Sequence, residues 1–159
     1  MQTPSEFVTS YALIGQKKAK SPATKLLVLG VLAGFLIGMG AAVTNTAGHA
    51  LTNPSVAKIV SGLLFPFGLI MVILTGAELF TGNCLITISV MEKKVNWLGM
   101  LRNWFYVYLG NFIGSLLLAM ACAYSGPMNL NNNGVAVYTM KVAAGKCALT
   151  FGNAVVLGI

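Results

Sequence analysis

The chain has 159 residues, of which 57% are hydrophobic and 8% charged, and its mean hydropathy is +0.81. A soluble domain carries about 25% charged residues, so the composition excludes an ordinary water-soluble globule and points to an all-α integral membrane protein. The net charge of +7 comes from 10 Lys and Arg against 3 Asp and Glu; the basic residues flank apolar runs without a basic-aromatic surface, which reads as membrane topology rather than a nucleic-acid footprint.

Residues 1–24 form an N-terminal arm. Phe7, Tyr11, Leu13 and Ile14 could line one face of a short helix on the membrane surface, with Lys17, Lys18 and Lys20 following. A plain solvated arm fits equally well. No apolar core of a cleavable signal peptide is visible there, so the first span is expected to serve as its own insertion signal. The transmembrane domain runs over 25–159, with spans at about 25–46, a broken one at 58–91, 98–124, and an incomplete one at 142–159.

In the first span Gly30, Gly34 and Gly38 fall at i, i+4 and i+8. This spacing leaves a flat face where another helix can approach closely. The loop at 48–58 holds the only histidine, His49, which reads as a polar loop residue. In the second span Pro66 removes a backbone donor and predicts a kink. Residues 59–91 are too many for one straight crossing at 1.5 Å per residue. The helix-weak stretch "TGAELFTGN" (75–83) in their middle predicts two half-helices around an irregular segment at membrane depth. Trp97, Trp104 and Tyr106 suit an interfacial aromatic belt at the third span, and Gly110 and Gly114 repeat the small-xxx-small spacing. Cys84, Cys122 and Cys147 read as small packing residues, and no metal spacing or cofactor motif appears. No acid/base pair or nucleophile-base pair supports an enzyme.

Lys17, Lys18, Lys20 and Lys25 precede the first span, and Lys93, Lys94 and Arg102 follow the second. The positive-inside rule therefore puts the N-terminus in the cytoplasm, in a multi-pass protein of the cytoplasmic membrane. Lys58, Lys141 and Lys146 are exceptions on or near the outer side, and exceptions are functional candidates.

Irregular backbone at membrane depth must be buried in protein or line a polar cavity. Glu78 could anchor the irregular segment by accepting hydrogen bonds, or it could face the solute. A carboxylate repels anions, so an anion path favours anchoring and a cation path reverses the choice. Phe65, Leu69 and Leu79 flank the break as candidate apolar constrictions, and Thr81 and Asn83 offer hydrogen-bonding groups to a solute. Lys146 enters the last apolar run; it could attract anions, or simply extend to the interface.

The blocks "GAELFTGNCL" (76–85), "LLFPFGLI" (63–70) and "RNWFYVYLGNFIGSLL" (102–117) resemble the formate/nitrite transporter family. The resemblance runs from about residue 24 to the chain end. It implies an aquaporin-like helical bundle with a broken second transmembrane helix, assembled as a homopentamer in the lipid bilayer with one pore per protomer. It also implies a channel or proton-linked transporter for small monovalent weak-acid anions such as formate, nitrite or hydrosulfide. By matching position Phe65, Leu69 and Leu79 resemble pore constrictions, Thr81 the loop hydroxyl that meets the solute, and Lys146 the vestibule lysine. Family members have six spans in two inverted repeats, with a pore histidine in the fifth; His49 does not match it. The expectation is that this chain supplies the first repeat and the start of the fourth span, as part of a longer protein or beside a second chain. The rival expectation is a membrane subunit that only packs against partners.

Overall fold

The computed structural model describes residues 3–158; residues 1 and 2 of the arm and the terminal Ile159 lie outside the described residues. Helix α1 spans Pro4–Ala19, α2 Ala23–Gly48, α3 Pro54–Leu64 and α4 Pro66–Thr75. After an irregular step come α5 (Phe80–Asn83), α6 (Ile86–Met91) and α7 (Trp97–Tyr124). A 3₁₀ turn at Pro127–Asn129 leads to α8 (Leu130–Cys147) and α9 (Phe151–Gly158). Among the described residues every regular element is helical. Three stretches, Ala23–Gly48, Pro54–Thr75 and Trp97–Tyr124, are long and apolar enough to cross a membrane, and Phe80–Met91 is a shorter apolar stretch.

The central seam is α2 against α7. A methyl group added at Gly34 would collide with the Asn111 carbonyl, and one added at Gly114 with the Val31 carbonyl. Gly30 and Gly110 meet in the same way, so the two backbones touch with no side chains between them. Gly40 and Gly68 bring α4 equally close to the other side of α2. Ala33, Leu36, Val72 and Ala77 form the buried apolar cluster beside that second contact.

The expected kink at Pro66 falls at the α3–α4 boundary, where Phe65 closes one helix and Pro66 opens the next. Of the expected belt tryptophans, Trp97 is 66% exposed and Trp104 is turned inward, its Nε1–H bonded to the Asn83 carbonyl. An incomplete span over 142–159 is the expectation; the helix boundary inside it lies where α8 ends at Cys147 and α9 starts afresh at Phe151. Thr150 begins that second helix: its hydroxyl accepts from Asn153 N–H, and its carbonyl from Ala154 N–H.

The arm forms a helix that docks on the bundle through one face. A capping box of Thr3 and Glu6 starts α1. Its buried stripe is Ala12, Gly15 and Ala19, at i, i+3 and i+7, and Gly15 rests on Ser89 of α6. Close helix contact requires small side chains, so Phe7, Leu13 and Ile14 stay outside.

Candidate functional site

The site is the break between α4 and α5, and its architecture follows from satisfying each exposed backbone group. Gly76 ends α4 in the left-handed region at φ 65°, which costs a glycine little. Gly76 N–H donates to Ile73 O at 3.2 Å and Ala77 N–H to Val72 O at 3.1 Å, closing the helix end. The chain then runs extended through Leu79.

Neighbouring helices supply the next partners. Glu78 N–H donates to Leu29 O of α2 at 3.2 Å. Asn111 of α7 serves three groups: its Nδ2 donates to Gly30 O and Glu78 O, both at 2.9 Å, and its Oδ1 accepts from Phe80 N–H at 2.8 Å. One amide thus ties α2, α7 and the break together. Phe80 is also held edge-on by Trp104 and Tyr108.

The Glu78 side chain points toward α1. Lys18 Nζ donates to Glu78 Oε2 at 2.6 Å and to Asn83 Oδ1 at 3.0 Å. Asn83 Nδ2 donates to Asn103 Oδ1 at 2.9 Å, and Asn103 Nδ2 returns to the Lys18 carbonyl at 3.1 Å. Trp104 Nε1–H donates to Asn83 O at 2.9 Å. Tyr11 hydroxyl donates to Gly82 O at 3.2 Å. Burial, and next the Glu78 charge, raise the Tyr11 phenol above its ordinary value of 10.0, so it stays a donor at neutral pH. Arg102 fixes the end of α1 from α7, donating to Ser21 O at 3.1 Å.

Each residue singled out in the sequence now has a place. Glu78 is 8% exposed and its carboxylate is paired with Lys18. Asn83, expected to contact solute, is 1% exposed with its amide committed to Lys18 and Asn103; that expectation is corrected, because its polar atoms are already partnered. Leu69 and Leu79 line a cavity of about 570 Å³ on the α1 side of the break, with Lys17, Lys25 and the Lys18–Glu78 pair. Thr81 is exposed beside Gly82, which lines that cavity; Thr81 does not line it itself. Phe65 lies instead on a second cavity of about 550 Å³ toward the opposite end of the bundle, formed by α2, α3 and α8. Lys146 is exposed in the last turn of α8 and lines neither cavity; Lys58 and Lys141 line the second. His49 stays a loop residue, contacting Thr46 O and Asn131.

Sequence reasoning missed Lys18, Tyr11, Asn103, Trp104 and Asn111 as parts of the site. Asn103, Trp104 and Asn111 lay in view within "NWFYVYLGN" (103–111), where positions i, i+4 and i+8 place Asn103, Val107 and Asn111 on one inward stripe. A polar residue at each end of an apolar stripe was the available signal.

The formate/nitrite transporter family matches residues 5–159. Formate channel FocA of Escherichia coli strain K12 is 33% identical over 147 residues, covering 91% of this chain and 52% of that protein. Formate channel BtFdhC of Bacillus thuringiensis is 29% identical over 148 residues, with 91% and 56% covered. A solved structure described as an FNT family ion channel superposes with a TM-score of 0.70 at 28% identity, over 77% of this chain and 50% of that one. The chain therefore spans about half the length of the relatives it matches. With a match over nearly its whole length, this integral membrane chain belongs to the formate/nitrite transporter family, a family of transport proteins rather than enzymes.

Proposed function

We propose that the chain forms half of the wall of a path for small monovalent weak-acid anions, formate first and nitrite or hydrosulfide as further candidates. The observation that carries this reading is a pair of cavities along the broken span, with Leu69 and Leu79 on one and Phe65 on the other. Phe65 and Leu69 stand four residues apart on the α3–α4 hinge, about 6 Å along a helix axis. They mark an apolar barrier between two chambers that each carry lysines. A bare anion crosses such a barrier poorly, so the solute passes as the neutral acid or with its proton partner. Thr81 and the carbonyl edge of the loop offer hydrogen bonds in place of lost hydration, and Lys146 draws anions toward the mouth.

The remaining wall comes from chain beyond these residues or from a second chain, in a homopentamer with one path per protomer. The lysines around α1 support a cytoplasmic position for that end, in the cytoplasmic membrane.

The test is formate and nitrite uptake into liposomes holding the chain in its native assembly. Wild type is expected to carry formate. Thr81→Val and Lys146→Ala are expected to lower the rate by about 5-fold or more, equivalent to about 1 kcal/mol of barrier. The second reading, a subunit that only packs against partners, requires both variants to match wild type.

A further inference from the structure

Three basic residues depart from the charge topology: Lys58, Lys141 and Lys146. The structure separates them. Lys58 and Lys141 share the cavity that Phe65 lines, and Lys146 does not. The placement is regular. On α3, Lys58, Ser61 and Phe65 fall at i, i+3 and i+7 and present one face to the cavity. On α8, Tyr138, Lys141 and Val142 do the same at i, i+3 and i+4. Asn45 of α2 completes the polar lining and is tied to α8 through Nδ2 to Thr139 Oγ1 at 3.2 Å.

The charge balance of this cavity is one-sided. No carboxylate lines it. The three acidic residues of the chain are Glu6, Glu78 and Glu92. Glu6 caps α1, Glu78 pairs with Lys18, and Glu92 follows α6, so all belong to the α1 end. Two ammonium groups therefore face one chamber of about 550 Å³ without a counter-charge from the described residues. Lysines that only mark an interface have no need to point into a common chamber. A cleft lined by one sign of charge between low-dielectric walls raises the local concentration of the opposite ion.

We propose that Lys58 and Lys141 together form an anion-collecting site for small monovalent oxyanions, immediately ahead of Phe65 on the path. The hydroxyls of Ser61 and Tyr138 and the Asn45 amide supply hydrogen bonds that a hydrated carboxylate or nitrite accepts. This inference rests on the anion path proposed above. It assigns the collecting role to a pair of lysines on the cavity wall, in addition to Lys146. The pair acts on capture rather than on passage through the barrier, so its effect is screened by salt.

The experiment compares wild type, Lys58→Gln/Lys141→Gln and Lys58→Arg/Lys141→Arg in the native assembly. The first readout is formate uptake into liposomes, entering from the cavity side, at about 10 mM and about 300 mM ionic strength, which bracket strong and weak screening. The glutamine pair is expected to lower uptake at subsaturating formate by about 3- to 10-fold at low salt, with the difference collapsing at high salt. The loss is expected in the half-saturating concentration, and the arginine pair is expected to restore it. An unchanged low-salt uptake, or a loss equal at both salts, overturns the proposal. The second readout is the rise in Tm of the solubilised assembly with sodium formate over sodium chloride. Wild type is expected to show the rise and the glutamine pair to lose it; equal rises in both overturn the site. If wild type binds formate in this way yet carries none, the transport reading fails while the lysine site stands.

Discussion

The two chambers have nearly equal volumes, about 570 and 550 Å³, and both carry an excess of lysine, but only the one beside the break holds a carboxylate. In the chamber beside α1, the charge at the break is internally settled: Lys18 meets Glu78 at 2.6 Å, and Asn83 and Asn103 close the ring. In the chamber beside Phe65, the lysines have no acid among the lining residues. The Lys18–Glu78 pair holds an irregular backbone in shape; Lys58 and Lys141 have no such partner on their cavity wall. A polar residue near a membrane break is therefore not in itself a solute ligand. What decides its role is whether its hydrogen-bonding capacity is already spent inside the protein.

The largest expected effect comes from removing the anchor common to three helices. Asn111→Ala leaves Phe80 N–H, Gly30 O and Glu78 O without their side-chain partner. At about 1–3 kcal/mol for each buried unsatisfied group, the loss is about 3 kcal/mol or more. Thermal unfolding in detergent and protease cleavage within 76–83 measure it. Retained Tm and an uncut loop would show that the break holds itself up without α7.

Next comes the ion pair. Lys18→Met leaves the Glu78 carboxylate, with 11% of its side chain exposed, facing no cation. The expected cost is about 2–3 kcal/mol, below the 3–5 of a fully buried pair because Lys18 keeps 27% of its side-chain surface. Adding Glu78→Gln is expected to recover most of it. Lack of recovery in the double variant, by denaturant unfolding, would mean that the lysine stabilises through packing alone.

The glycine seam ranks third. Gly34→Ala drives a methyl group into the Asn111 carbonyl, whose residue holds the break. Overpacking of this kind costs about 1–3 kcal/mol. Gly62→Ala is the control, since nothing lies near its added methyl. Equal Tm for the two variants would contradict the close α2–α7 contact.

The smallest effect concerns acid pH. The Thr3 backbone and side-chain hydrogen bonds hold the Glu6 carboxyl below its ordinary 4.5. A depressed carboxyl contributes stability that is present above 4.5 and lost as pH falls through the folded value. The first turn of α1 is therefore expected to fray as pH falls through the lowered Glu6 value, with hydrogen-exchange protection lost at 4–8 and kept at 12–19. Equal exchange in both segments at pH 6 and pH 3 would remove the capping box as the cause.

Much of this architecture was legible in the chain itself. The glycine spacing at 30 and 34 named the face that α7 occupies, and "TGAELFTGN" named the break, because both signals are local and periodic. Glu78 as an anchor followed from charge reasoning. Its partner did not. Lys18 lies 60 residues away among four lysines that all obey the positive-inside rule, and one-dimensional reading gives none of them priority. Trp104 misled for a related reason: an interfacial tryptophan and a buried donor look alike until its Nε1–H is seen on Asn83 O. Asn83 misled because an amide near a break suits a solute as well as it suits another amide. The arm was harder still, since its docking face is a stripe of small residues that carries no hydrophobic signal.

The central claim is that the break stands on the solute path, with Leu79 as an apolar constriction. Leu79 is partly buried against the α2–α4 cluster and borders the α1-side chamber. The most direct measurement is the size cut-off for weak-acid uptake into liposomes by Leu79→Ala in the native assembly, alongside wild type of equal Tm. The account expects formate uptake to rise and the larger acetate and lactate to pass more readily than in wild type. Identical rates and an identical cut-off in a folded variant would contradict it.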